Sequence, residues 1–120
     1  MLLNNLYKIQ SLTANENIIQ ATVELMAVHD IFKGHFPGQP VLPGVCMMEM
    51  IAEITGEYLQ TPLRISGAPM IKFLLMIDPR RNPIIILEIK YQSTPDGTAT
   101  QGKIFFETAI FMKFQLTLTT

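Results

Sequence analysis

The chain has 120 residues, of which 48% are hydrophobic and 16% charged, with a net charge of −1. That length holds one domain, residues 1–120, and excludes an enzyme with a separate nucleotide-binding half. A near-neutral balance excludes a dedicated nucleic-acid binder, which carries a basic excess. Charges this scarce also predict that part of the surface is covered by another subunit.

No apolar run approaches the roughly 18 to 20 residues of a bilayer span, and Met1 to Tyr7 lacks a basic segment leading an apolar core. Cys46 is the one cysteine, so neither a disulfide nor a thiolate metal site is expected. These features predict a reduced, cytoplasmic protein with no membrane insertion and no metal.

In chain order, Ile19, Ala21, Val23 and Leu25 alternate with polar residues, the period of a strand with one buried face. His29 to Pro43 is too rich in Gly and Pro to be regular. Gly44 to about Gln60 contains no proline and reads as one helix. Val45, Met48, Ala52, Thr55 and Leu59 follow one of its faces, while Cys46, Met47, Met50, Ile51 and Ile54 fill much of the rest. A helix apolar nearly all round is a buried helix.

Met70 to Ile77 reads as the next strand, followed by a polar turn around Asp78, Arg80, Arg81 and Asn82. Ile85, Leu87, Ile89 and Tyr91 alternate with Ile86, Glu88, Lys90 and Gln92. Pro95-Asp96-Gly97 is a turn signal. Thr98 to Glu107 and Ile110 to Thr119 read as two more strands, although no Gly or Pro marks a turn near Thr108. Ile110, Met112, Phe114, Leu116 and Leu118 share a face. Ile86 and Phe111 fall on outer positions, available for subunit contacts. One strand, a loop, a long helix and four strands predict an α+β fold, with an antiparallel sheet curled around a single central helix.

The chemistry is concentrated in Gly34-His35-Phe36-Pro37-Gly38-Gln39-Pro40-Val41-Leu42-Pro43-Gly44-Val45, leading into Glu49. Its prolines fix φ repeatedly, so the loop is rigid enough to position something. Gly44 opens the helix, where unpaired N–H groups carry partial positive charge and polarise a docked carbonyl oxygen. Glu49 lies within an otherwise apolar helix, and apolar surroundings raise a carboxyl pKa and keep the group protonated. A base, an oxyanion donor and an acid are the parts needed to eliminate water from a 3-hydroxyacyl thioester. His35, the Gly44 N–H and Glu49 match them in that order.

His-Phe-Pro-Gly-Xaa-Pro-Val-Leu-Pro-Gly-Val, with a Glu fourteen residues after the His, resembles the active-site motif of bacterial 3-hydroxyacyl-[acyl-carrier-protein] dehydratases of type II fatty acid synthesis. The element order resembles that family's hotdog fold over essentially the whole chain, and Lys72-Phe73 is a weaker echo. The resemblance implies a hydro-lyase that forms a trans-2-enoyl thioester in fatty acid or related lipid and polyene biosynthesis. It implies no bound cofactor, because the substrate arrives on the phosphopantetheine arm of acyl carrier protein. It implies a homodimer with active sites shared between subunits, and allows a trimer of dimers. His35 is then the base, Glu49 the acid and Gly44 the oxyanion donor, with Phe36, Pro37, Gly38, Val45 and Glu53 lining or shaping the site.

One departure concerns Glu53, where the family usually has Gln four residues after the catalytic Glu. Like charges four apart on a helix repel, so Glu53 is expected to keep Glu49 protonated if both face the site. His29, beside Asp30, has no motif support and is expected at a strand end. Cys46 reads as a small buried hydrophobe, with a nucleophile at the helix start as the alternative. The methionines read as fillers of an irregular core, or as lining of an adaptable acyl tunnel. Arg80, Arg81 and Lys72 fit either a solvated turn or the approach of an acidic carrier protein. Two other functions stay open: a non-catalytic hotdog subunit that supports a paralogue or binds acyl carrier protein, and a hotdog acyl thioesterase.

Overall fold

The computed structural model describes residues 1–34, 38 and 40–120. His35, Phe36 and Pro37 of the sequence motif lie outside the described residues. The elements are β1 (Tyr7–Asn15), β2 (Ile18–Leu25), α1 (Ile31–Gly34), α2 (Gly44–Leu59), β3 (Arg64–Phe73), β4 (Ile84–Thr94), β5 (Gly97–Phe106) and β6 (Ala109–Thr119). The strands form one six-stranded sheet in the order β1-β2-β4-β5-β6-β3. Every neighbouring pair is antiparallel.

Alternation decides which face of this sheet meets the helix. Ile19, Ala21 and Val23 on β2, and Ile85, Leu87 and Ile89 on β4, are fully buried. Met112, Phe114, Leu116 and Leu118 continue that layer on β6. Against it packs α2, through Cys46, Met47, Met50, Ile51, Ala52 and Ile54. Each large aliphatic chain so buried contributes about 1.5–3 kcal/mol. Thr55 is buried in the same layer because its hydroxyl donates to Ile51 O at 2.7 Å. The helix ends where Gln60 turns left-handed (φ 58) and its N–H returns to Gly56 O. The α+β hotdog architecture expected from the sequence is the one observed. Among the described residues, no helix is long and apolar enough to cross a membrane.

Several expectations need correction. A sixth strand, β1, precedes the first one read from the sequence. Its alternation is broken by a bulge at Gln10, so Tyr7 and Ile9 have one parity and Leu12 and Ala14 the other. The hairpin to β2 turns through Glu16 (φ 51) and Asn17 (φ 64), as a two-residue turn with both central φ positive requires. The third strand runs over Arg64–Phe73 rather than Met70–Ile77. It is a sheet edge, mostly solvent-facing and carrying Pro69, so it lacks a buried strand's apolar signature.

The irregular stretch after β2 contains the short helix α1. His29 sits just ahead of it, and its Nδ1 accepts from the Ile31 N–H at 3.0 Å. The unmarked turn near Thr108 is real. It uses Glu107 at φ 52 in place of a glycine. Phe111 is not an outer contact residue but 3% exposed. The pairing steps from Phe105–Ile110 to Ile104–Met112, leaving Phe111 as an extra residue that the bulge turns inward. Ile86 is half-buried.

Truncating the centre of the layer exposes its contribution. Leu87→Ala should lower unfolding free energy by about 2–5 kcal/mol, read as a fall in the urea midpoint at unchanged slope. Loss below about 1 kcal/mol would contradict the central position assigned to β4.

Candidate active site

Among the described residues, no side chain caps the start of α2. Pro43 precedes the helix with φ −63 and ψ 147 and supplies no side-chain cap. The first helical bonds are those of the Cys46 and Met47 N–H groups to Pro43 O, at 3.0 and 3.2 Å. The Gly44 and Val45 amides lie ahead of them, at the positive end of the helix dipole. The loop leading in is held by the Leu42 N–H, which donates to Ile77 O at 2.9 Å.

Gly44 opens onto an apolar cleft of about 420 Å³ lined by Val41, Pro43, Met47, Phe73, Leu75 and Met76. The Phe73 ring lies so close over Gly44 that a Cβ there would sit 2.5 Å from its Cζ. A side chain at this position would have to displace the half-exposed Phe73 ring. Leu74 and Leu75, just past Phe73, donate their N–H groups to the bulged Phe111 carbonyl at 2.8 and 3.2 Å. The bulge thereby fixes the apolar wall of the cleft.

Glu49 stands one and a half turns further on and lines a different cleft, of about 360 Å³, with Ala52, Glu53, Glu57 and Leu63. The helix is not buried all round, as its sequence suggested. Val45 is 73% exposed, and Glu49 and Glu57 are also exposed, so a stripe at four-residue spacing stays open. Glu49 is thus not enclosed by apolar side chains. Its carboxyl is nevertheless held above the ordinary range, first by partial burial and next by the negative charge of Glu53. The chain's amino group opposes them.

Glu53 is the one member of the stripe that is covered, at 8% exposure. Its Oε1 accepts from the Leu3 N–H and the Tyr7 hydroxyl, and its Oε2 from the Leu2 N–H, all at 2.9 Å. Tyr7 is fully buried, and burial followed by the Glu53 charge pushes its phenol well above the usual range. The Leu2–Tyr7 segment, folded on itself by bonds such as Leu6 N–H to Leu2 O at 2.7 Å, therefore lies over α2 at Glu53. Tyr7 was not among the residues picked out from the sequence. It is 46 positions from Glu53, and no local spacing signals the contact.

Of the remaining sequence candidates, Gly38 is exposed with φ 86, and its carbonyl accepts from Arg80 Nη2 at 3.4 Å. Arg80 itself pairs with Asp78 at 3.1 Å. Cys46 is 5% exposed, and burial, followed by the Glu49 charge, pushes its thiol up. This is the environment of an inert structural cysteine rather than a nucleophile. Within one chain, then, the oxyanion candidate and the acid candidate share a helix but open onto separate clefts.

The chain matches the ApeI-like family, described as ApeI dehydratase, over residues 11–105. It belongs to that family. A 3-hydroxyacyl-[acyl-carrier-protein] dehydratase FabZ from Lactococcus lactis subsp. cremoris is 30% identical over 111 residues, covering 76% of each chain. Its counterpart in Novosphingobium aromaticivorans is 30% identical over 92 residues, or 72% of this chain, and this chain spans 58% of that relative's length. Among solved structures, the dehydratase heterocomplex ApeI:P from Xenorhabdus doucetiae superposes with a TM-score of 0.73 at 19% identity, covering 94% of this chain and 97% of the other. A conserved protein from Pseudomonas aeruginosa gives 0.64 at 10% identity, covering 93% and 86%. These two likenesses establish the hotdog fold.

Gly44→Ala should push the half-exposed Phe73 ring aside and cost less than about 1 kcal/mol, seen as a small fall in melting temperature. Adding Phe73→Leu should recover most of it; no recovery would show that the contact is not the cause. Native Cys46 should react with a thiol reagent at pH 7.5 far more slowly than the urea-unfolded chain, because burial and the raised thiol pKa both deplete accessible thiolate. Equal rates would contradict the burial.

Proposed function

We propose that the protein dehydrates a 3-hydroxyacyl thioester, presented by an acyl carrier protein, to the trans-2-enoyl thioester. The observation that carries this reading is the pairing, on one helix of a dehydratase-family fold, of an uncapped Gly44 terminus with a Glu49 kept prone to hold its proton. In this reading His35 removes a proton from the α-carbon, and the thioester oxygen takes the developing charge at the Gly44 N–H. Electrons move into the new Cα–Cβ double bond as the β-hydroxyl departs. Glu49 gives that hydroxyl its proton, so the leaving group is water. Solvent then returns the proton from His35 to Glu49. Phe36, Pro37, Gly38 and Val45 shape the approach, and the apolar cleft beside Gly44 takes the acyl chain. No cofactor is required for these steps.

The separation of the Gly44 and Glu49 clefts supports a site completed by a second chain. The exposed run Phe73, Leu74, Leu75 and Met76 follows edge strand β3 and gives a second hotdog chain an apolar seat. That chain is another copy in our reading. Because the Xenorhabdus doucetiae neighbour is described as a heterocomplex, a paralogue is the alternative, with this chain in a supporting role.

Incubation with a 3-hydroxyacyl thioester should yield enoyl product without free thiol. His35→Ala and Glu49→Gln should each reduce the rate by about 10²–10⁴-fold. Thiol release would instead indicate a thioesterase, and no turnover would favour the supporting role. A solution mass measurement should give at least a dimer; a stable monomer would overturn the shared site.

A further inference from the structure

The face of the sheet turned away from α2 carries a row of like charges. Lys72 on β3 is paired directly with Lys113 on β6, and Lys113 with Lys103 on β5. Alternation places the row outside, because the neighbouring Ile104, Met112 and Phe114 are buried in the core. Adjacent strands lie about 4.8 Å apart, so the three lysines are rooted on a line roughly 10 Å long. Like charges directly opposite one another destabilise a sheet, and here two such pairs follow in succession. Glu88 on β4 is opposite Lys103. Among the described residues, however, the ion pairs are Lys33 with Asp30 and Arg80 with Asp78, and neither lies in this row.

A groove of about 340 Å³ opens beside the row, lined by Lys90, Lys103, Lys113, Gln101 and Gln115. The two glutamines oppose one another across β5 and β6, and Lys90 on β4 is opposite Gln101. Their amide groups add neutral donors between the cations. Lys103 is half-buried, with its ammonium 4.8 Å from the centre of the Phe105 ring, while Lys72, Lys90 and Lys113 are exposed. The ring holds one cation in place before any ligand arrives. Four lysines against Glu88 give this patch a charge of +3, in a chain whose net charge is −1. The groove shares no lining residue with the Gly44 cleft or the Glu49 cleft.

We propose that this outer-face groove is a second binding site, which takes a multiply charged phosphate ligand. The charge count sets the valence. One carboxylate would offset one ammonium and leave the rest of the row repelling, whereas a diphosphate carries enough charge to offset the whole patch. The donor chemistry sets the class. Lysine binds phosphate as a point charge, while forked recognition of a carboxylate belongs to arginine, and among the described residues no arginine lines the groove. The ligand turns the mutual repulsion of the row into shared attraction. Two sources supply this chemistry: a soluble di- or polyphosphate, and the phosphate of an anionic lipid headgroup.

The proposal stands apart from the dehydratase reading, and its test does not use activity. Pyrophosphate is titrated into the full chain by calorimetry at about pH 7.5, with sodium chloride at matched ionic strength as the control for screening. One saturable site per chain is expected. Lys113→Glu should weaken it about 10–100-fold, and Lys8→Gln, on β1 away from the groove, should leave it unchanged. If Lys113→Glu does not fold, Lys90→Gln tests the same groove from another strand, with weaker binding again expected. Sedimentation with phosphatidylglycerol vesicles but not with phosphatidylcholine vesicles, lost in Lys113→Glu, would support the site and assign its phosphate to a lipid headgroup. A response to pyrophosphate no greater than to chloride, together with no sedimentation, would overturn the site. Binding of polyglutamate in place of either phosphate source would overturn the ligand class. So would equal binding by the native chain and the groove variants.

Discussion

Burial of α2 within the curl of the six-stranded sheet is the constraint from which the rest of the structure follows. Among the described residues, α2 is the only long helix that covers the sheet's apolar face, and that face buries most of the helix's circumference. Met50, Ile51, Ala52 and Ile54 are completely removed from water, as are Ile85, Leu87 and Ile89 opposite. Neither element holds such a surface alone, since isolated helices of this length are marginal in water.

This packing leaves two regions of the helix able to carry polar chemistry. One is its start, where no described side chain caps the first amides and Gly44 lets the Phe73 ring approach. The other is the stripe Val45, Glu49, Glu53 and Glu57, turned away from the sheet. Along that stripe the protein separates two carboxyls by environment. Glu53 is enclosed and accepts three hydrogen bonds, while Glu49 remains open to the cleft.

Much of the fold was legible because its signals are local. The alternation at Ile19 to Leu25 and at Ile85 to Ile89 survives in the structure unbroken, and the helix begins at Gly44 as its loop sequence indicates. The failures share a physical cause. In β1 the bulge at Gln10 reverses parity halfway, so neither half is long enough to read as a strand. In β6 the bulge at Phe111 turns inward a residue that strict alternation sends outward. Edge strand β3 buries little, so its composition carries no apolar pattern. Alternation reports pairing only while the ladder is regular.

The candidate site divides along the same line. The order of residues from His35 to Glu49, the glycine at the helix start and the carboxyl spacing are properties of the chain, because helix geometry alone places Glu49 and Glu53 on one face. That Glu53 is covered rather than facing the cleft freely was decided by tertiary structure, when the Leu2–Tyr7 segment folded across the helix and brought its donors to the carboxylate. The placing of Phe73 over Gly44, and of Gly44 and Glu49 on separate clefts, was decided there too. Composition and periodicity determine what each segment buries. Which distant segments then meet depends on how the sheet closes around the helix, and no local pattern encodes that geometry.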